Sequence, residues 1–155
     1  MMIKFEGVGK TMREIKFRAW HKESKEMFDV YALTPTAVEK KENGISYVYD
    51  RRDVILMQYI GQKDINGIKV FTGDIVKADL YKLGYQYMAH PYICEVVFEG
   101  FCYLLRVIDH ADKSRFKPGR VPKISKSMQY HYINSADNLT VIGNRWDNPE
   151  LLEVK

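Results

Sequence analysis

Cysteine is nearly absent from this sequence: 155 residues include two, Cys94 and Cys102. That count excludes a disulfide scaffold, and free thiols in a reduced, cytosolic setting are expected. No apolar run approaches the roughly 20 residues a membrane helix needs, so no membrane partner is expected. Nothing reads as a secretion leader. Capped apolar stripes at i, i+3, i+4 and i+7 are also missing, which argues against long amphipathic helices. The catalytic signatures are missing too: there is no Gly-x-Ser-x-Gly elbow, no glycine-rich phosphate loop and no His-Glu-x-x-His. His21, His90, His110 and His131 are scattered along the chain. A non-enzyme without a cofactor is the expectation.

Aromatic residues, by contrast, are plentiful. Eleven Tyr, seven Phe and two Trp make 13% of the chain and sit among Val and Ile in short runs, which suits half-buried pleated surfaces. The fold is therefore read as mainly β. At this length one domain with a sizeable core is expected. Residues 14–20 and 27–33 alternate apolar and polar around a charged link, a first hairpin closed off by Thr34 and Pro35. Asn43 and Gly44 between residues 37–42 and 45–50 mark a second, because Asn-Gly tolerates positive φ at both turn positions. At Asn66 and Gly67 a two-residue loop sets Ile65 against Ile68 and Asp64 against Lys69. Residues 92–98 and 101–108 flank Glu99 and Gly100 as the most apolar hairpin and the centre of the core. Leu139 to Gly143 make a last strand, and Asn148 and Pro149 can open one helical turn. The first half of residues 110–138 is expected to be a mobile loop.

Three constellations bear on chemistry. Gly73 and Asp74 open a strand-like run, where glycine permits a sharp backbone turn and aspartate satisfies turn donors; the reading is structural rather than catalytic. Asp64, two residues before Asn-Gly, is read as a turn residue for the same reason. His90, Cys94, Cys102 and His110 are four zinc-competent side chains. With a Glu99-Gly100 loop, however, Val97 pairs with Cys102 and Cys94 with Leu105. The two sulfurs then lie on opposite faces, three ladder steps apart, so neither a metal centre nor a disulfide is expected. Lys113, Arg115, Lys117, Arg120, Lys123 and Lys126 are six cations with no acid among them. The chain's formal +4 less this +6 leaves −2 elsewhere, so the positive charge is local. Such a loop can neutralise phosphates and bind nucleic acid, or it can be a solvated surface segment. Tyr81, Tyr85, Tyr87, Tyr92, Tyr130 and Tyr132 flank this region and suit base stacking, a protein interface or the core.

Four ordered stretches carry a resemblance: Met12-Arg13-Glu14-Ile15-Lys16-Phe17-Arg18-Ala19-Trp20; Leu56-Met57-Gln58-Tyr59-Ile60-Gly61-Gln62-Lys63-Asp64-Ile65-Asn66-Gly67; Phe71-Thr72-Gly73-Asp74-Ile75-Val76; and Val141-Ile142-Gly143-Asn144 running into Asn148-Pro149-Glu150-Leu151-Leu152. Together they resemble the YopX family of phage and prophage proteins from Gram-positive bacteria. The resemblance implies a small, phage-encoded, mainly β protein of a bacterial host's cytoplasm and carries over no catalytic residues. Residues 1–11 precede the family-like start and are expected to lie outside the fold. Residues 12–155 then form one domain, with β-hairpins over 12–62 and an SH3-like barrel over 63–155 that carries a basic loop at 110–127. The expected function is an accessory module that binds a macromolecule, either nucleic acid or a host or phage protein. A self-assembling structural or scaffold protein, built as a homo-oligomer on exposed tyrosines and strand edges, is the alternative.

Overall fold

The computed structural model of the protein describes residues 14–82, 85–126, 129–133 and 136–153. The expected extension at 1–11 lies outside these. The fold is mainly β, and among the described residues every strand pairing is antiparallel. The strands are β1 (Phe17–His21), β2 (Glu26–Asp29), β3 (Ala32–Leu33), β4 (Ala37–Glu42), β5 (Ile45–Asp50), β6 (Val54–Lys63), β7 (Lys69–Phe71), β8 (Asp74–Lys82), β9 (Tyr85–Glu99), β10 (Cys102–His110), β11 (Tyr130–Tyr132) and β12 (Ala136–Asn144). Among the described residues helix is confined to short 3₁₀ turns such as Lys113–Arg115 and Pro149–Leu152.

Three sheets result: β2-β1-β6-β7, β3-β4-β5, and a half-barrel in the order β11-β10-β9-β8-β12. The first hairpin sets Arg18 opposite Asp29, but its second strand stops at Asp29, and Ala32–Leu33, expected to continue it, pair with β4 in the next sheet. The second hairpin forms where its turn chemistry places it, with Glu42 opposite Ile45. Asn43 and Gly44 both take positive φ, at 50° and 81°. Strand β7, which the sequence reading assigned to the barrel, instead pairs with β6 and completes the four-stranded sheet. The main core fills the half-barrel around Val76, Cys94, Val96, Leu105 and Leu139, with Ile60 and Val70 contributed by the neighbouring sheet. Two smaller clusters, one around Ala19, Phe28 and Val38 and one around Trp20, Met57 and Phe71, sit on either side of the four-stranded sheet.

Two turns differ from the sequence reading, each for a local reason. Cys102 pairs with Glu99, so the loop of the central hairpin is Gly100 and Phe101 rather than Glu99 and Gly100. Both loop residues take positive φ (55° and 82°), and Phe101 is almost wholly exposed. The primed turn that matches strand twist demands those angles, and here it takes them from a bulky residue. The second difference is at Asn66 and Gly67. Lys63 pairs with Lys69, which leaves a five-residue loop, and Ile65 and Ile68 are exposed rather than paired. The Asp64 carboxylate organises this loop: Oδ1 accepts from the N–H groups of Asn66 (2.8 Å) and Ile68 (2.9 Å). Its Oδ2 accepts from the N–H of Val141 on β12 (3.0 Å), so a turn residue of one sheet also clamps the edge of the other.

Asp64 is buried. Burial opposes its charge, but the backbone donors of Val141, Ile68 and Asn66 outweigh that effect and hold the carboxyl below its ordinary 3.8. Replacing Asp64 by Ala strands these N–H groups and should cost about 2 kcal/mol or more in urea unfolding at neutral pH. A carboxyl with a depressed folded-state pKa contributes stability above its unfolded value and loses it as pH falls through the folded value. The gap between wild type and Asp64→Ala should therefore narrow below the ordinary value of 3.8. A gap that is constant down to acid-induced unfolding would show that the carboxylate charge contributes nothing.

Candidate functional site

The turn from β7 into β8 is where the four-stranded sheet meets the half-barrel. Gly73 has φ 83°, its N–H donates to the Val96 carbonyl (2.7 Å) and its carbonyl accepts from the Arg145 N–H (3.0 Å). Asp74, next along, is buried; its Oδ2 accepts from the Phe71 N–H at 2.8 Å and its Oδ1 takes the Arg18 guanidinium of β1. Burial pushes the Asp74 carboxyl upward, while Arg18 and the Phe71 N–H work against that push. Arg18 also lies over the Phe71 ring, 4.7 Å from its centroid. With its oxygens held this way, Asp74 is built into the turn rather than presented for acid–base work.

Beside it, Glu95 on β9 is fully buried and sits between two arginines. Arg106, directly across the ladder on β10, binds Oε2, and Arg145, just past β12, reaches Oε1 at 2.9 Å. The sequence reading missed this triad. Once the hairpin loop is Gly100 and Phe101, a glutamate in the most apolar run faces an arginine, and that opposition is the signal that was available. Under the expected loop, two residues out of step, Glu95 faced Leu104.

The zinc-competent set does not converge among the described residues. Cys94 lies opposite Val107 and Cys102 opposite Glu99, so the thiols are on opposite faces of the hairpin. The slip in the loop is even-numbered and leaves that parity unchanged. His110 turns its Nε2 to the Pro122 carbonyl (3.0 Å) and packs its ring against Tyr92 and Phe116. The side chain of His90 lies outside the described residues.

That His110 contact alters the picture of the basic loop. The segment expected to be mobile is tied to the half-barrel by His110–Pro122, by Phe116 on His110, by the Ala111 N–H on the Pro91 carbonyl (2.9 Å) and by Ile124 packed on the main core. Further on, β11 lies within the expected stretch and pairs with β10. The six cations divide. Lys113 pairs with Asp109 at 2.7 Å and Arg115 with Asp112 at 3.9 Å, acids that lie just before the run. Lys117, Arg120, Lys123 and Lys126 are exposed, and among the described residues they form no ion pair. Tyr130 and Tyr132 follow on one face of β11, both exposed, with the Tyr130 hydroxyl donating to Glu99 (3.3 Å).

Two open clefts accompany these features. One of about 390 Å³ lies beside the loop and includes Lys77, Asp79, Asp112, Arg115 and Asn138. The other, about 320 Å³, borders the Glu95 triad with Met57, Val97, Phe98 and Trp146. No His, Cys or Ser is among the described lining of either, and the Asp79 carboxylate accepts from the Asn138 amide at 2.7 Å. The threonines of the two linings bond to the backbone, Thr140 donating to the Asn138 carbonyl (3.4 Å) and Thr72 accepting from the Gln58 N–H (3.0 Å).

Comparison with known proteins gives one family, and the solved structures that match include the two described next. The profile of the family described as YopX protein matches residues 16–153. The crystal structure of protein EF1440 from Enterococcus faecalis is 27% identical, covers 90% of this chain and 99% of its own, and superposes with a TM-score of 0.52. The crystal structure of protein yopX from Bacillus subtilis is 18% identical over 89% of this chain and 98% of its own, with a TM-score of 0.51, a likeness of fold alone. No curated protein matches.

Two outcomes test this geometry. A Cβ at Gly73 meets only ordinary contacts, the nearest being Met57 Sδ at 3.5 Å, so the cost of Gly73→Ala should come from its positive φ and amount to about 1 kcal/mol. Unchanged stability would remove the conformational requirement. The thiols should also separate. Burial pushes Cys94 up to about 12, so in the native state it should resist thiol reagents at pH 8 while the half-exposed Cys102 reacts, with both reacting after denaturation. Two native groups of equal rate would show the Cys94 site to be open.

Proposed function

The chain belongs to the YopX family, and we propose that it is a non-enzymatic nucleic-acid-binding module, encoded by a phage or prophage and acting in the cytoplasm of a bacterial host. The half-barrel is read as SH3-like, serving as a platform for the basic loop. The observation that carries the reading is the placement of Lys117, Arg120, Lys123 and Lys126: exposed, and held on a segment anchored by His110, Phe116 and Ile124. An anchored loop loses less conformational freedom on binding than a free one, so more of the counterion-release gain appears as affinity. Tyr130 and Tyr132, two residues apart on the strand that follows, add stacking surfaces about 7 Å apart for unpaired bases. The four cations are assigned to phosphates, contacts that carry no sequence information directly, so the binding proposed is sequence-independent.

In the alternative reading the chain is a scaffold protein that assembles with itself. The exposed outer edge of β5 favours it.

Replacing Lys117, Arg120 and Lys123 together by Ala should weaken retention on all nucleic-acid sequences alike and flatten the salt slope by roughly 0.9 per lost phosphate contact on duplex DNA. The melting temperature should hold, because these side chains are exposed. If the chain is not retained on single- or double-stranded DNA or RNA at low ionic strength, where such attraction is strongest, the reading fails.

A further inference from the structure

The three-stranded sheet ends on β5, whose outer edge no described strand covers. Sheet edges of monomeric proteins are usually blunted by lysine, proline, a bulge or brevity. Other edges of this fold follow that rule: β11 and β7 have three residues each, β2 carries Glu26 and Asp29, and β12 pairs with register shifts. Strand β5 does not. Its six residues, Ile-Ser-Tyr-Val-Tyr-Asp, contain no lysine and no proline, and they pair with β4 without a bulge. Ile45, Tyr47 and Val48 are exposed, Val48 at 69%.

The ladder shows which backbone groups are open. The Arg51 N–H donates to the Thr36 carbonyl (2.9 Å), so that pair is hydrogen-bonded, and alternation along an antiparallel ladder makes 38/49, 40/47 and 42/45 hydrogen-bonded as well. The N–H and C=O groups of Ser46, Val48 and Asp50 therefore point away from β4. The Asp50 carbonyl already accepts from the Asp53 N–H (3.0 Å) and keeps its second lone pair.

We propose that β5 pairs antiparallel with β5 of a second copy of this chain, about a two-fold axis at Val48. A two-fold axis normal to the sheet sets residues whose numbers sum to an even value opposite one another. With Val48 against the partner's Val48, all three outward-facing residues find partners: Val48 with itself and Ser46 with the partner's Asp50, twice. Shifting the axis to Tyr47 or Tyr49 leaves one of the three unpaired within the strand. The same register is chemically self-complementary. Valine meets valine, and on the opposite face Tyr47 meets the partner's Tyr49, while the Ser46 hydroxyl keeps its own hydrogen bond to Glu39 Oε1 (2.6 Å). No like charges oppose each other, because Asp50 is the sole charged residue of the strand and already pairs with Arg52 at 2.8 Å. A foreign strand would need to match this pattern, whereas a second copy does so by symmetry. The product is a continuous six-stranded sheet, β3-β4-β5 joined to its mate. The area gained is one strand edge, so the dimer belongs to the weak, concentration-dependent class.

The test is the mass of the full chain by sedimentation equilibrium from about 10 µM to about 1 mM, a range suited to interfaces below roughly 1,200 Å². Mass should rise from one chain towards two. Val48→Lys sets two ammonium groups across the axis and should hold the protein at one chain throughout, with an unchanged melting curve. Val48→Thr should still associate. The register is read by cross-linking in a Cys102→Ser background. Under mild oxidation Val48→Cys should form a disulfide-linked dimer, since facing Cα atoms in a hydrogen-bonded pair lie about 5.5 Å apart, and Tyr47→Cys, which does not face itself, should not. If Val48→Lys lowers the melting temperature, Val48→Thr and the cross-linking pair still decide. A constant single-chain mass would overturn the proposal, as would association that survives Val48→Lys, equal cross-linking at both positions, or growth beyond two chains.

Discussion

Asp74 and Glu95 are removed almost completely from water, and each is held by arginine from elsewhere in the chain, Arg18 of β1 for the first and Arg106 of β10 with Arg145, just past β12, for the second. An isolated buried carboxylate is costly, and removing one member of a buried pair typically costs about 3–5 kcal/mol. Their burial therefore constrains how the sheets dock. Any slide of the four-stranded sheet along the half-barrel would pull Arg18 from Asp74. Any slip of β9 against β10 would take Arg106 away from Glu95 and leave that charge unpaired. Apolar packing around Met57 and Phe71 tolerates small shifts, whereas the ion pairs admit one arrangement. Gly73 completes the constraint, because its backbone joins β9 to the end of β12 in the same turn that positions Asp74.

The basic loop inherits its geometry from this frame. It leaves β10 at His110, four residues beyond Arg106, and returns to the edge of the same strand as β11. With both ends set by one strand, the loop is a closed excursion over the half-barrel, and Phe116, Pro122 and Ile124 fasten it between those ends. The cations nearest the frame, Lys113 and Arg115, are paired with acids, and those further out are exposed. The charge offered to a partner is thus smaller than the run suggests, and better placed.

What the sequence made legible was local. Asn43 and Gly44 located β4 and β5 to the residue because that turn chemistry leaves little choice, and Asp64 and Asp74 were recognised as turn residues because short carboxylates accept from nearby backbone donors. What stayed hidden was the second contact each makes. Asp64 reaches Val141 and Asp74 reaches Arg18, across 77 and 56 residues, and no spacing rule encodes such partners. Strand β6 was hidden for the same reason. It runs as one strand from a pairing with β1 to a pairing with β7, with Gly61 at φ 85° within the irregular stretch between Tyr59 and Lys63. The central hairpin failed on one residue: Phe101 holds an angle that sequence preference assigns to glycine or asparagine, and moving the loop by one position moved every cross-strand pair by two.

The ionic junction and the outer surfaces obey opposite rules. At the junction every charge has a designated partner, so the geometry is fixed and little is available for recognition. At the surface, Lys117, Arg120, Lys123 and Lys126 carry charge without a described partner, and Ser46, Val48 and Asp50 carry backbone groups that point away from their sheet. The first is the feature proposed above to meet phosphate and the second the one proposed to meet a strand, and they lie on different sheets. The loop is fastened to the half-barrel and β5 ends the three-stranded sheet, so occupying one surface need not obstruct the other. Salt separates them physically. Under the two proposals, counterion release would make the loop's attraction fall steeply with ionic strength, while backbone pairing at β5 would involve no net charge and be insensitive to it.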